Sequence, residues 1–165
     1  MKQIILLISL WILPMVSADT GAAHVRGQLL CDGKPFASEK IEIWEKDYVL
    51  ADTLVATEMT DKHGFFSIKG AATDKLFSPH VYIYIPNYCG VPSTEIIQCG
   101  YTLKISLPDA FVSPGNLPKT TFNLDKLELN KAKTEEHGLG KYWYWFRGGH
   151  KECRSTPQTG SEVIV

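Results

Sequence analysis

The 165-residue sequence has no large excess of either charge. Seventeen lysines and arginines stand against eighteen aspartates and glutamates, a formal net charge of −1 at pH 7. There is no run of basic residues to displace phosphate counterions, so we expect no nucleic-acid partner. No polybasic cluster favours electrostatic attachment to an anionic membrane surface either.

Motifs for metal and nucleophilic chemistry are also missing. The four cysteines form no Cys-x-x-Cys pair, and the five histidines form no His-x-x-x-His or His-Glu-x-x-His motif. Gly-x-Ser-x-Gly is absent as well. These absences disfavour structural zinc, metalloenzymes and serine hydrolases. We therefore expect no metal, no cofactor and no enzyme activity.

The sequence has no amphipathic pattern for a helix longer than three turns, and period-two alternation takes its place. Tyr101, Leu103, Ile105 and Leu107, for example, fall on one side of a predicted strand. Further strands are predicted at 25–29, 41–44, 54–60, 65–69, 80–85 and 122–129, the last with a slip at Asp125 that indicates a turn or bulge. The 108–118 stretch, with three prolines, is predicted to be a long loop. Seven or eight short strands indicate an all-β antiparallel sandwich.

The first 18 residues have the pattern of a secretory signal peptide. Lys2 precedes an apolar run from Ile4 to Leu13, and Val16-Ser17-Ala18 is a small-residue cleavage site. The run is too short to span a bilayer, and no later stretch is long and apolar enough to do so. We therefore predict a secreted, extracellular protein with no transmembrane segment. Its even cysteine count then favours two disulfides, for which three connectivities are possible.

Several blocks resemble the transthyretin-like family of secreted nematode proteins. The matching blocks are VRGQLLCDGKPFASEKIEIWEKD, TDKHGFFSIKGAA, PHVYIYIPNYC, CGYTLKISLP and TTFNLDKLELN. The resemblance implies a transthyretin-like sandwich, an extracellular location and no established enzyme activity. It also implies a carrier or recognition role, which in some members includes binding of anionic phospholipid. We predict a sandwich over residues 19–130 and an irregular extension over 131–165 that Cys153 ties back.

The predicted strand ends suggest a disulfide pairing. Cys89 ends one predicted strand and Cys99 begins the next. If these strands pair antiparallel, the two cysteines meet at one end of the ladder within the ~5.5–6 Å Cα separation that a bridge needs. Cys31 is then left to pair with Cys153. In this prediction Cys31 holds the C-terminal extension against the first hairpin.

One enzyme alternative comes from the 5-hydroxyisourate hydrolases of the same fold. His24 precedes Val25, and FRGG at 146–149 is similar to the terminal Tyr-Arg-Gly-Ser of those enzymes. A histidine and an arginine can activate water against a cyclic imide. Phe146 and Gly149 depart from the motif, however, and the chain continues beyond it.

An aromatic run gives the strongest indication of binding. Tyr142, Trp143, Tyr144, Trp145 and Phe146 are consecutive, with Lys141 and Arg147 on either side. Such a run can present amphipathic area to a ligand, or can cover a sheet edge as part of the structure. Trp44, on the polar face of its strand, is a second candidate. We predict a binding protein for a lipid, a small apolar ligand or a cell-surface partner, with a purely structural protein as a further alternative.

Overall fold

The computed structural model describes residues 19–48, 50–74, 78–92, 96–132 and 151–155, which form an all-β sandwich. In chain order the strands are β1 (Asp19–Cys31), β2 (Lys34–Pro35), β3 (Lys40–Lys46), β4 (Thr53–Met59), β5 (Phe65–Asp74), β6 (His80–Asn87), β7 (Ile97–Ser106), β8 (Val112–Pro114), β9 (Phe122–Glu128) and β10 (Lys151–Ser155). The predicted fold class is confirmed. The described residues contain ten strands, more than the seven or eight predicted, because β2 and β8 are too short to show alternation and β10 lies in the extension.

Sheet 1 is built around the long strand β1. The strands β5 and β2 pair with one edge of β1, and β8 and β9 pair with the other. The β1–β9 pairing is parallel, whereas the other pairings of this sheet are antiparallel. The sheet is therefore three strands wide, and residues at the middle of β1 have neighbours on both sides.

Sheet 2 has the strand order β10-β7-β6-β3-β4, with antiparallel pairing throughout. The central strand β6 includes the strand predicted at 80–85 and is apolar on both faces. Val81, Ile83 and Ile85 are buried in the core, and Tyr82, on the opposite face, is also buried. The prediction for β6 is therefore confirmed.

The core lies between the two sheets and comes from the inward positions of the alternating strands. Its buried members are Ala23, Val25, Leu29, Ile41, Ile43, Phe66, Ile68, Ala72, Val81, Ile83, Ile85, Leu103, Leu107 and Leu129. Each valine, leucine, isoleucine or phenylalanine among them contributes ~1.5–3 kcal/mol on burial. This apolar layer holds the two sheets together and leaves their outer faces for polar residues.

Two local features agree with the sequence. In the β4–β5 turn, the Asp61 carboxylate accepts hydrogen bonds from the backbone N–H groups of His63 and Phe65, both at 2.8 Å. His63 is thus a turn residue. The slip at Asp125 is a bulge in the β1–β9 ladder, where Asp125 has φ of 51°.

The 108–118 stretch is not simply a loop, so this prediction is wrong. It contains a three-residue 3-10 helix, Asp109–Phe111, followed by β8. Val112–Pro114 pairs with Gly21–Ala23 and buries Ser113, and the pairing ends at Pro114, which suits a residue without a backbone N–H. Among the described residues, no helix is long and apolar enough to cross a membrane.

All four cysteines form disulfides, as predicted, but the predicted pairing is wrong. Cys31 is bonded to Cys89 with a Cα–Cα distance of 5.5 Å, and Cys99 to Cys153 with a distance of 4.0 Å. The first bond joins the end of β1 in sheet 1 to the segment after β6 in sheet 2. The second crosses between neighbouring strands of sheet 2.

The pairing differs because the sequence did not indicate β10. The strands β6 and β7 do pair antiparallel, with Asn87 opposite Tyr101. However, β6 ends at Asn87 and the chain turns at Cys89, which leaves the ladder before Cys99. Residues 151–155 then pair with β7 and place Cys153 directly opposite Cys99. Cys31 therefore does not hold the C-terminal extension. Cys99 of β7 does so instead, through its disulfide with Cys153.

Candidate ligand-binding groove

The outer face of sheet 1 carries a row of polar residues at the middle of β1. Arg26 lies between Ser67 of β5 and Asn123 of β9, and it is exposed. One step further along, Gln28 lies between Phe65 and Lys126. This arrangement follows from alternation, because Val25 and Leu29 point into the core and Arg26 and Gln28 must point outward.

The two sets of neighbours across the strands, one centred on Arg26 and one on Gln28, line an open groove of about 850 Å³. Its lining residues are Arg26, Gly27, Gln28, Phe65, Phe66, Ser67, Asn123, Asp125 and Lys126. The groove combines two cationic side chains with the Phe65 ring, which is 52% exposed. Ligand sites typically have ~300–1,000 Å³ and combine apolar surface with a few placed polar groups. The groove has both properties.

Gly27 lies beneath the groove, where β1 and β9 approach closely. A Cβ at this position would lie 3.0 Å from the Leu124 Cβ and 3.1 Å from Phe66 Cε1. Glycine therefore allows the bulged strand β9 to pack against β1. The bulge places Asp125 and Lys126 at the rim, where Asp125 Oδ1 accepts a hydrogen bond of 2.7 Å from Asn123 Nδ2.

His24 lies next to the groove, one step along β1 from Arg26. Its Nε2 is 3.0 Å from Ser67 Oγ, and its Nδ1 is 2.7 Å from Thr121 Oγ1. Burial, and then the positive charges of Lys69 and Arg26, lower the pKa of His24. The ring is therefore neutral at neutral pH and acts as a fixed hydrogen-bonding group between two hydroxyls.

Comparison with known proteins identifies the family. The model of the transthyretin-like family matches residues 26–108. The chain belongs to the transthyretin-like family. The resemblance noted in the sequence is therefore confirmed.

Several relatives from Caenorhabditis elegans match over most of their length. Transthyretin-like protein 33 is 29% identical over 134 residues, which cover 78% of this chain and 90% of that protein. Transthyretin-like protein 2 is 25% identical over 116 residues, covering 67% and 76%. Transthyretin-like protein 46 is 28% identical over 137 residues, covering 82% and 74%.

Solved structures add little. A 9R-lipoxygenase from Cyanothece has a TM-score of 0.36 and 18% identity over 65% of this chain and 16% of its own. This likeness is too weak to support a statement about this transthyretin-like protein.

Most of the binding residues predicted from the sequence cannot be placed. Tyr142, Trp143, Tyr144, Trp145, Phe146 and Arg147, together with Lys141, lie outside the described residues, so their role stays a prediction. Trp44 is half-buried and donates a hydrogen bond of 2.8 Å from Nε1 to Glu42 Oε2. The groove residues Arg26, Phe65 and Lys126 were not singled out in the sequence.

One cluster of potential metal ligands is excluded as a metal site because two of its members form a disulfide. Among the described residues, one group of three potential ligands lies close together, namely Cys31, Asp32 and Cys89. The two sulfur atoms are bonded to each other, so neither is available as a thiolate. This group is therefore part of a disulfide and does not form a metal centre.

Proposed function

We propose that this transthyretin-like protein is an extracellular binding protein whose groove takes up a lipid or a small apolar molecule with an anionic group. The observation that carries the proposal is the exposed Phe65 ring beside Arg26 and Lys126 in one open groove. The ring offers apolar contact area, and the two cations offer charge-assisted hydrogen bonds to an acidic group. All three residues lie on strands, which hold them in place without a ligand.

The extracellular part of the proposal has two supports. Both disulfides fit an oxidising compartment. Residues 1–18, which lie outside the described residues, have the pattern of a secretory signal peptide. Detection of the protein in culture medium, with Asp19 as its first residue, would test this part directly.

Vesicle flotation tests the groove. The mature protein is mixed with phosphatidylcholine vesicles that contain or lack an anionic phospholipid, and its Arg26→Ala/Lys126→Ala variant is compared. A basic residue near an anionic surface is worth ~1 kcal/mol. The double variant should therefore bind acidic vesicles roughly 30-fold more weakly. The matched control is Lys46→Ala/Lys151→Ala, which removes two exposed lysines from sheet 2.

A second assay distinguishes a membrane surface from a single bound molecule. Displacement of a fluorescent fatty acid reports uptake into the groove without vesicles, and Phe65→Ala should weaken it while leaving the melting temperature nearly unchanged. The proposal fails if the groove variants bind both probes as well as wild type does. Retained binding of a cell surface by those variants would favour a protein partner instead.

The hydrolase alternative is supported by His24, the histidine that the sequence singled out. It lies beside Arg26 and is hydrogen-bonded to the Ser67 hydroxyl. Its other ring nitrogen contacts a hydroxyl rather than the carboxylate that usually orients a catalytic imidazole. FRGG lies outside the described residues. The geometry therefore favours binding over hydrolysis.

A further inference from the structure

The Ser67 hydroxyl is a groove side chain that a neighbouring histidine orients. Ser67 is exposed on β5, lies opposite Arg26 of β1 and lines the groove. Its Oγ is 3.0 Å from Nε2 of His24, which lies two positions before Arg26 on β1. A ligand that reaches Arg26 therefore meets a hydroxyl whose hydrogen bonding depends on His24.

The imidazole of His24 is held from both sides. Its Nδ1 is 2.7 Å from Oγ1 of Thr121, the residue directly before β9. A neutral imidazole has one N–H donor and one acceptor nitrogen, so two arrangements satisfy both contacts. When Nε2 carries the proton, it donates to Ser67 Oγ and leaves the Ser67 hydroxyl free to donate into the groove. When Nδ1 carries the proton, Ser67 donates to Nε2 and presents only acceptor lone pairs to a ligand.

An acidic group in the groove favours the arrangement in which Ser67 donates to it. An anion beside the Arg26 guanidinium accepts hydrogen bonds and gives none, so Nε2 must keep its proton. A protonated imidazole has N–H donors on both nitrogens and therefore enforces the same arrangement. A proton on His24 and an anion in the groove thus support one another.

The charges around His24 act in the same direction. Burial, and then the positive charges of Lys69 and Arg26, lower the pKa of His24. An anion bound beside Arg26 offsets this positive field and so raises the pKa of the ring again. By linkage, protonation of the ring strengthens anion binding by the same factor.

We propose that His24 and Ser67 form a proton-linked recognition pair that makes the groove selective for amphiphiles with an acidic head group and tightens their binding as the pH falls. The inference rests on the proposed function, since it concerns the same groove. The ligand class is an apolar chain or ring that ends in a carboxylate, sulfonate or phosphate. Phe65 contacts the apolar part, Arg26 supplies a fixed charge, and His24 is a positioning residue that acts through Ser67.

Other charged or titratable groups pack around β1 near His24. They are Arg26, Lys69, Lys119, Asp125, Lys126 and His63. Histidine is the side chain whose ordinary pKa places its change of charge between pH 5 and 8. The experiment must therefore separate His24 from His63, which lies in the turn before β5.

Strand geometry sets the expected size of the effect. Two positions along a strand span ~6.6 Å, which is the separation we take between a charge on His24 and an anion held at Arg26. One added charge at that distance changes affinity roughly three-fold at the dielectric constant of water, and more where water is partly excluded.

The test is calorimetric titration of the mature protein with octanesulfonate, whose head group stays charged from pH 8 to pH 4.5, and with octanol as the uncharged comparison. Wild type should bind octanesulfonate roughly three-fold more tightly at the acid end and bind octanol equally at both ends. Ser67→Ala removes the donor hydroxyl and should weaken octanesulfonate binding roughly ten-fold at the acid end. His24→Gln cannot take up a proton, so its octanesulfonate affinity should not rise with acidity.

His63→Gln is the matched control. It removes a histidine near the groove and keeps the backbone carbonyl that accepts from Gln28 Nε2 at 2.9 Å. This variant should keep the wild-type rise in affinity. NMR titration of the His24 ring supplies a second reading, because octanesulfonate should raise the His24 pKa by the logarithm of the same factor.

The proposal is overturned if wild-type affinity for octanesulfonate is flat with pH, if His24→Gln keeps the rise, or if the anion leaves the His24 pKa unchanged. Absence of octanesulfonate binding at every pH also overturns it. Binding that Arg26→Ala/Lys126→Ala weakens but that is flat with pH refutes the proton linkage and leaves the proposed function standing. Failure of the proposed function is recognised separately, by groove variants that bind vesicles and fatty acid as well as wild type does.

Discussion

Glu39 provides a pH-dependent prediction that tests how the C-terminal strand is held. Its side chain is 2% exposed and lies 3.3 Å from the Arg154 guanidinium of β10. That guanidinium stacks 4.0 Å from the centre of the Tyr88 ring. Burial, only partly offset by Arg154, raises the pKa of Glu39 from its ordinary 4.5 to about 7.

The sign of the effect follows from proton binding. Between pH 4.5 and about 7 the folded protein holds a proton on Glu39 that the unfolded chain has released. Stability therefore falls as pH rises through this window, and above it the loss is constant. At 1.36 kcal/mol per pKa unit, the full loss is ~3 kcal/mol. Glu39→Gln mimics the protonated carboxyl and should recover most of that amount above pH 7.

Urea unfolding of wild type and Glu39→Gln across this window measures the difference in unfolding free energy. The difference should be near zero at the acid end and should grow to ~3 kcal/mol at the alkaline end. The raised pKa of Glu45 also makes stability fall as pH rises, whereas the lowered pKa of His24 makes it rise. Wild type and Glu39→Gln share both groups, so the difference in unfolding free energy between the two proteins isolates Glu39. A difference that stays flat with pH, or a Gln variant that is less stable above pH 7, would refute the reasoning.

Three further predictions concern the disulfides, the enzyme alternative and the aromatic run. Non-reducing peptide mapping should give the disulfide-linked peptides Cys31–Cys89 and Cys99–Cys153, and a Cys89–Cys99 peptide would contradict the structure. Replacing either pair by alanine should lower the free energy of unfolding, measured by urea titration, by ~2–5 kcal/mol. Hydroxyisourate decay should be unaffected by the purified protein, and turnover that disappeared in His24→Ala would contradict the binding proposal. If the aromatic run faces a ligand, replacing Trp143 and Trp145 by alanine should weaken ligand binding with little change in melting temperature. If the run is core, each truncation should lower the free energy of unfolding by ~3–5 kcal/mol. Strong destabilisation of both single variants would exclude the ligand-facing role.

Local periodicity accounts for the parts of the fold that the sequence predicted. The alternation of Leu103 and Leu107 placed them on one face, and both are buried in the core. The slip at Asp125 predicted a bulge because a single extra residue reverses the face of every residue after it. These signals depend on neighbours within a few positions, which is why they can be read without the structure.

The features that were missed depend on contacts between distant parts of the chain. The wrong disulfide pairing followed from β10, a five-residue strand that joins β7 only after a long connection. The groove likewise depends on the register of β1 and β9, which sets Arg26 beside Asn123. No pattern within a single strand indicates such juxtapositions.

The two outer faces of the sandwich differ in how far their polar groups are already paired. On sheet 2, Glu42 binds the Lys40 ammonium at 2.9 Å and the Trp44 indole at 2.8 Å. Glu152 binds the same ammonium at 3.0 Å and the Tyr84 hydroxyl at 2.9 Å, so this network is satisfied within the chain.

A ligand on sheet 2 would have to displace those internal bonds, at a cost of ~1–3 kcal/mol for each buried group left unpaired. On sheet 1, Arg26 and Lys126 lie exposed beside the Phe65 ring, in a groove with room for a small molecule. Their charges are available to a ligand without breaking a buried network. This difference is the physical reason for assigning binding to sheet 1, and the paired variants on the two sheets measure it directly.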